Sequence, residues 1–184
     1  MPGKHEGIAE NLFRSDSHSF SKYEEPRLTL ITGIGIEGDA HSGEFVKHRS
    51  RAEKTPLEPN LRQVHLIASE LLDEMAALGF SLSAGDLGEN ISTSGLTLID
   101  LPRHSVLHIG DEVRLQVEGL RNPCSQIEAF QKGLLQHMTG KNEAGEMVRK
   151  TGIMCTVLQG GEIAAGAVIK VTPPDGPHVP LAVV

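Results

Sequence analysis

The sequence is poor in aromatic residues and in cysteine. Only 3% of its 184 residues are aromatic and none is tryptophan, so Leu, Ile and Val must supply most of the core. Two cysteines, Cys124 and Cys155, are too few for a disulfide framework. Free thiols are typical of proteins in a reducing compartment, and we therefore expect a cytoplasmic protein.

The chain also lacks the features of membrane and nucleic-acid-binding proteins. It has no apolar run of about 18 residues, the length that a membrane-spanning helix needs. The first residues, MPGKHEGIAENLF, lack the apolar centre of a signal peptide. A formal net charge of −7 disfavours nucleic acid or an anionic membrane as the main partner. We expect the partner to be a small molecule.

Most of the chain has the pattern of short strands interrupted by its 20 glycines. Val113, Leu115 and Val117 alternate with polar residues, which is the period of a half-buried strand. Further strands are expected at residues 8–13 and 62–67, throughout 96–120, and at 152–171 as a hairpin around Gly160-Gly161. These elements predict a mainly β fold, a closed or nearly closed β-barrel with a few short helices.

The clearest helix is predicted within residues 68–80, with Ser69 as its N-cap and Gly79 as its end. A second helical stretch is expected at 125–138. The charged residues 47–61, with two prolines, predict a mobile surface loop that trypsin should cut.

Cys124, in the segment RNPC, is the strongest candidate for a reactive residue in the chain. The thiolate is the nucleophile and the soft-metal ligand, and a nearby residue such as Arg121 favours the charged form. Pro123 stiffens the loop that presents the sulfur. Cys155 lies in the apolar run GIMCTVL and is expected to be a small buried residue.

Two glycine-rich loops offer polar groups for a ligand. GIEGDAHSG contains Asp39 and His41, and its glycines allow close approach of backbone to a ligand. DLGENISTSG contains Glu89, Asn90 and Thr93, which can hydrogen-bond a heterocycle or phosphate. Ordinary turns use the same residues, so each loop alone also fits a purely structural role. His65, on the strand RQVHLI, fits a buried core position better than a ligand position.

In order, the segments GIEGDAHSG, RQVHLI, LGENISTSGL, LHIGDEVRLQV, RNPC and VLQGGEIAAGAVIKV resemble the MOSC domain, named after the C-terminal part of molybdenum cofactor sulfurase. The resemblance covers residues 28–172. It implies that residues 1–27 add an N-terminal strand and loop to the same domain, and that 173–184 form a proline-rich tail. The chain would be a stand-alone MOSC domain of the bacterial type.

The resemblance implies that Cys124 is the signature cysteine of the family and that Arg121 assists it. Cys124 would be a metal ligand, and two pocket loops would contribute to cofactor binding. The residues expected to bind the cofactor are Gly38, Asp39, His41, Arg62, Gln63, Glu89, Asn90, Thr93 and Arg121. The chain departs from the family pattern at Gly166-Ala167, where Gly-Asp is usual, and at Lys150, where Arg is usual.

The resemblance leaves three functions open. Cys124 could hold the molybdenum of a molybdopterin cofactor that reduces N-hydroxylated compounds, with a separate electron-donor protein. It could instead carry sulfur as a persulfide received from a cysteine desulfurase, in which case pyridoxal phosphate enters only through that partner. A non-catalytic small-molecule-binding domain is the third interpretation. The sequence does not determine the physiological substrate or the oligomeric state.

Overall fold

A computed structural model describes residues 5–46 and 58–184. Residues 47–57, most of the predicted surface loop, lie outside the described residues. In chain order the strands are β1 (Glu6–Arg14), β2 (Tyr23–Glu25), β3 (Arg27–Ile31), β4 (Gly35–Ile36), β5 (Val64–Ala68), β6 (Ile91–Ser94), β7 (Val106–Ile109), β8 (Val113–Leu120), β9 (Thr139–Lys141), β10 (Met147–Arg149), β11 (Ile153–Gln159), β12 (Gly161–Ala164) and β13 (Ala167–Thr172).

Seven of these strands form a closed barrel. Their order is β13-β7-β8-β11-β5-β6-β1, and pairing of β1 with β13 closes the ring. All neighbours are antiparallel except β5 and β6, which run parallel with Leu66 opposite Ile91. Strand β2 extends the sheet beyond β1, and β9 and β10 form a separate ribbon. The prediction of a mainly β barrel is therefore confirmed.

The predicted hairpin around Gly160-Gly161 is wrong. Strand β12 pairs with β3 instead of β11, with Gly161 opposite Leu30, in a three-stranded sheet of order β12-β3-β4. Gly160 lies tightly against β3, since a Cβ atom there would meet the Leu30 carbonyl oxygen at 2.4 Å. The chain thus leaves the barrel at Gly160 and returns to it as β13.

Helix α1 spans Ser69–Ala77 and follows β5 without a loop. Because the chain enters it directly, Ala68 is the N-cap residue and the prediction of Ser69 at that position is wrong. Gly79 follows the helix with a φ of 89°, which is the left-handed conformation that ends helices and favours glycine.

The predicted helical stretch at 125–138 is two shorter elements. Helix α2 spans Ser125–Phe130 and a 3-10 helix spans Leu135–Met138. Gly133, with a φ of 83°, separates them. The region 96–120 is likewise not strand throughout, since residues Leu98–Asp100 form a 3-10 helix before β7.

The barrel encloses one apolar cluster, and a second cluster lies under the helices. Val113, Leu115 and Val117 point into the barrel as their alternation predicted. The second cluster joins Met75 of α1 to Ile127 of α2 and residues near Met138. No helix of the described residues is both long and apolar enough to cross a membrane.

The proline-rich tail extends the end of β8. The Leu120 amide donates to the Ala182 carbonyl at 2.8 Å, and the Val184 amide donates to the Leu120 carbonyl at 3.3 Å. Arg62 also donates to the Val184 carbonyl oxygen. Because Arg121 directly follows Leu120, the tail supports the strand end from which the cysteine loop begins.

We predict that Gly119→Ala displaces the tail. A Cβ atom at Gly119 would meet the Ala182 carbonyl oxygen at 2.4 Å, closer than any real contact. Overpacking of this kind costs about 1–3 kcal/mol. Urea unfolding should show that loss, and hydrogen exchange of the Leu120 amide should become faster. Gly140→Ala is the control, because its nearest neighbour lies 3.9 Å away. Equal behaviour of the two variants would contradict the docking of the tail.

Candidate functional site

A buried ion pair between Lys22 and Asp39 underlies the site. The Lys22 ammonium lies 3.1 and 2.9 Å from the two carboxylate oxygens, and the side chains are 2% and 0% exposed. Lys22 directly precedes β2, and Asp39 lies in the glycine-rich loop after β4. Sequence analysis missed Lys22, because a single lysine in a serine-rich stretch gives no periodic signal.

Asp39 accepts several further hydrogen bonds. The amide of Ser15 donates at 3.3 Å, the amide of His41 at 2.9 Å and the side-chain amide of Asn90 at 3.1 Å. Burial alone would raise the pKa of Asp39, but hydrogen bonding from His41 and the charge of Lys22 hold the pKa well below its usual range. Asp39 is therefore an ionised hub that joins three segments, and its oxygens are occupied by protein donors.

His65 and Asn90 form the next layer of the site. The Asn90 side-chain oxygen accepts from the His65 amide at 3.1 Å, and the Asn90 amide donates to the His65 carbonyl at 2.8 Å. The Nε2 atom of His65 lies 2.8 Å from the Thr151 carbonyl oxygen. Burial, and then the positive charges of Arg121 and Lys22, lower the pKa of His65 well below its usual value. His65 is therefore neutral and donates from Nε2 to Thr151.

Arg121 directly follows β8, and its side chain crosses the site. Its guanidinium donates to the Leu87 carbonyl oxygen and lies 5.9 Å from the centre of the Phe20 ring. Burial lowers the pKa of Arg121, while Cys124 and Glu89 oppose that shift. The guanidinium thus interacts with Cys124, as the spacing in RNPC predicted.

Cys124 is the N-cap residue of α2 and is half-buried. Its carbonyl accepts from the Ile127 amide at 3.1 Å, and its sulfur lies 3.6 Å from the side-chain oxygen of Gln126. Cys155, in contrast, is fully buried in β11. Burial, and then the charge of Glu118, raise the pKa of the Cys155 thiol.

These groups surround a cavity of ≈ 640 Å³. Of the predicted site residues, His41, Arg62, Asn90 and Arg121 line it. The lining residues that sequence analysis did not assign to the site are His18, Ser19, Phe20, Lys22, Ala40, Val46, Asn60, His65, Leu87, Gly88, Gln126 and Met154. Cys124 does not itself line the cavity, but Arg121 and Gln126 on either side of it in the chain do.

The remaining predicted cofactor-binding residues do not line the cavity. Gln63 bridges the backbone, donating to the Gly33 carbonyl at 3.0 Å and accepting from the Val157 amide at 2.9 Å. Thr93 is buried in β6. Gly38 has a φ of 73° and adjoins the Arg14 side chain.

Glu89 is a buried carboxyl and does not line the cavity either. One oxygen accepts from the Gly85 amide at 2.6 Å, and the other has no hydrogen-bond partner among the described residues. Burial raises the pKa of Glu89. A protonated carboxyl in this position would spare the site an uncompensated negative charge.

Comparison with known proteins gives a consistent result. The family model described as the MOSC domain matches residues 39–170. The crystal structure of the YuaD protein from Bacillus subtilis is similar, with a TM-score of 0.76 and 25% identity, covering 92% of this chain and 97% of that one.

Two further crystal structures share the fold. YiiM from Escherichia coli has a TM-score of 0.58 at 20% identity, covering 94% of this chain and 73% of that one. YiiM from Geobacillus stearothermophilus has a TM-score of 0.63 at 18% identity, covering 97% and 80%. No curated protein sequence matches the chain.

We predict that Lys22→Met strongly destabilises the protein. Removing one partner of a buried pair leaves Asp39 as an uncompensated charge, which costs about 3–5 kcal/mol. The control is Arg27→Met, which breaks the Arg27–Glu162 pair, whose side chains are 64% and 55% exposed. That variant should lose less than about 1 kcal/mol. Urea unfolding of both variants measures the difference, and equal losses would contradict the role of the buried pair.

We also predict that native-state alkylation distinguishes the two cysteines. Iodoacetamide at neutral pH should label Cys124, since its side chain is only half-buried. Cys155 should stay unlabelled until the protein unfolds, because it is 0% exposed. Peptide mass spectrometry of wild type, Cys124→Ser and Cys155→Ser assigns the label. Labelling of Cys155 at the same rate as Cys124 would refute the assignment.

Proposed function

The chain belongs to the MOSC domain family, whose model matches residues 39–170, and from this we propose that it binds a molybdenum–pterin cofactor through Cys124. The bound form would reduce N-hydroxylated compounds. The observation that carries the proposal is the contact of Cys124 with Arg121, whose guanidinium lines the cavity.

The cavity suits an anionic cofactor. Its volume of ≈ 640 Å³ lies in the range of small-molecule sites, about 300–1,000 Å³. Lys22, Arg62 and Arg121 line it, although the whole chain carries a net charge of −7. Because Lys22 is already paired with Asp39, Arg62 and Arg121 would hold the phosphate of a pterin cofactor.

The donor set also suits a metal that brings its own ligands. Cys124 supplies a soft sulfur, the donor type that metal–sulfur chemistry uses. Within the described residues, no group of three or more His, Cys, Asp or Glu side chains is arranged to hold a metal. A metal at Cys124 would therefore take its other ligands from the cofactor. The residues present thus fit the cofactor.

When bound, the cofactor would supply the two-electron redox chemistry. Reduction of an N-hydroxylated compound breaks the N–O bond and consumes two electrons and two protons, giving the amine and water. The electrons would come from a separate electron-donor protein of the cytoplasm. Arg121 would stabilise the Cys124 thiolate. The neutral His65 would keep its proton on Nε2 and donate it in the hydrogen bond to the Thr151 carbonyl. Phe20, stacked beside Arg121, would exclude water.

A second function, sulfur transfer, is favoured by the exposure of the cysteine loop. Asn122, Ser125 and Gln126 around the half-buried Cys124 are exposed, so a partner protein can reach the sulfur. In that reaction the Cys124 thiolate would attack the outer sulfur of a persulfide on a pyridoxal-phosphate-dependent cysteine desulfurase. A new S–S bond would form on Cys124, and the desulfurase cysteine would leave as a thiolate.

We predict that protein purified from a host that makes molybdenum cofactor contains molybdenum and a pterin. Elemental analysis and pterin fluorescence measure both. Cys124→Ser should lose the molybdenum because the soft ligand is gone, whereas Cys155→Ser, with the thiol removed from the barrel interior, should keep it.

The sulfur-transfer function predicts a different result. Protein without molybdenum that gains one sulfur atom on Cys124 after incubation with a desulfurase and cysteine, seen by intact mass, would favour the carrier role. Retention of molybdenum by Cys124→Ser would overturn the ligand assignment.

Arg62→Gln should weaken pterin retention more than the loss of a surface arginine such as Arg114, which is exposed on β8.

A further inference from the structure

A second cavity, of ≈ 1040 Å³, lies apart from the site of Cys124. None of its lining residues lines the first cavity. It is bounded by α1, by residues 95–102 around the 3-10 helix, by the chain just before β11 and by the end of β13 with the start of the tail. Neither the family resemblance nor the proposed chemistry gives it a role.

The floor of this second cavity is apolar and fixed in place. Five of its side chains belong to the packed interior and are between 1% and 8% exposed. They are Leu71, Leu96, Leu98, Leu101 and Val171. Ala68 and Ile99 are half-buried and continue the apolar surface. Because the floor is built from residues held by the core, an apolar group that enters removes water from a preformed surface.

The rim is acidic. Three carboxylates, those of Glu70, Glu74 and Asp100, line the cavity with a single ammonium group, that of Lys150, and with the imidazoles of His5 and His178. Glu74 forms an ion pair with Lys150, so these two charges offset each other. Glu70 is held in position by the Gly95 amide, which donates to its Oε1 at 2.8 Å. The carboxylates of Glu70 and Asp100 remain as the excess charge.

We propose that the second cavity binds an amphiphilic organic cation, with an apolar aryl or alkyl body and a protonated amine or amidine head. The body rests on the leucine floor and the head lies between the carboxylates of Glu70 and Asp100. An anion of the same shape meets repulsion from both carboxylates. The volume of the cavity is that of a drug-sized ligand, larger than a simple ion requires.

Three probes of one shape test the charge preference: 4-phenylbutylamine, 4-phenylbutanol and 4-phenylbutyrate. Calorimetric titration measures the affinity of wild-type protein for each. The protonated amine should bind most tightly, the alcohol more weakly, and the carboxylate weakest. Amide chemical shifts locate the site, and those of residues 95–102 should move. Equal affinities, or shifts confined to the region of Arg121, would overturn the proposal.

Two conservative variants separate charge from shape. Glu70→Gln keeps the oxygen that accepts from the Gly95 amide and removes the charge. Asp100→Asn removes the other charge at an exposed position. Each should weaken binding of the amine about two- to five-fold and leave that of the alcohol unchanged. Asp111→Asn changes the net charge equally at an exposed turn outside the cavity and should have no effect. An equal effect of Asp111→Asn would also overturn the proposal.

Discussion

The first cavity depends on one buried carboxylate. Asp39 accepts from Lys22, from two backbone amides and from Asn90, so segments far apart in sequence meet at its two oxygens. Taking a carboxylate and an ammonium out of water costs several kcal/mol per ion, and only a well-satisfied geometry offsets it. The arrangement therefore fixes the cavity wall in one position. Asp39, expected to bind a cofactor, contributes by holding the residues that line the cavity.

Local patterns predicted what local interactions determine. Helix α1 was predicted because the leucine spacing and Gly79 lie within a few residues of one another. The alternation at Val113, Leu115 and Val117 likewise predicted which side of β8 is buried. The predicted start of α1 was less accurate, because the flanking structure decides it. The chain passes directly from β5 into the helix, and Ser69 therefore lies inside it.

Long-range pairing was not predictable from spacing. Gly160-Gly161 has the composition of a hairpin turn, yet β12 pairs with β3, whose residues lie more than a hundred positions earlier. The same reason hid Lys22, because its partner Asp39 lies in a different loop and neither residue marks the other in the sequence. Family resemblance supplied part of this missing information, since His41, Asn90 and Arg121 do line one cavity.

The two cavities have opposite electrostatic character and share a wall. The three consecutive residues just before β11 contribute to both, because Lys150 and Gly152 line the acidic-rimmed cavity. On the side of the cation-lined cavity, the Thr151 carbonyl accepts from His65, and the Gly152 carbonyl accepts from the Arg121 amide at 3.1 Å. Since the His65 side chain and the Arg121 amide both bond to these carbonyl groups, the position of both residues depends on this backbone. Lys150, where the resemblance leads one to expect Arg, therefore lines the second cavity and directly precedes the backbone that supports the first.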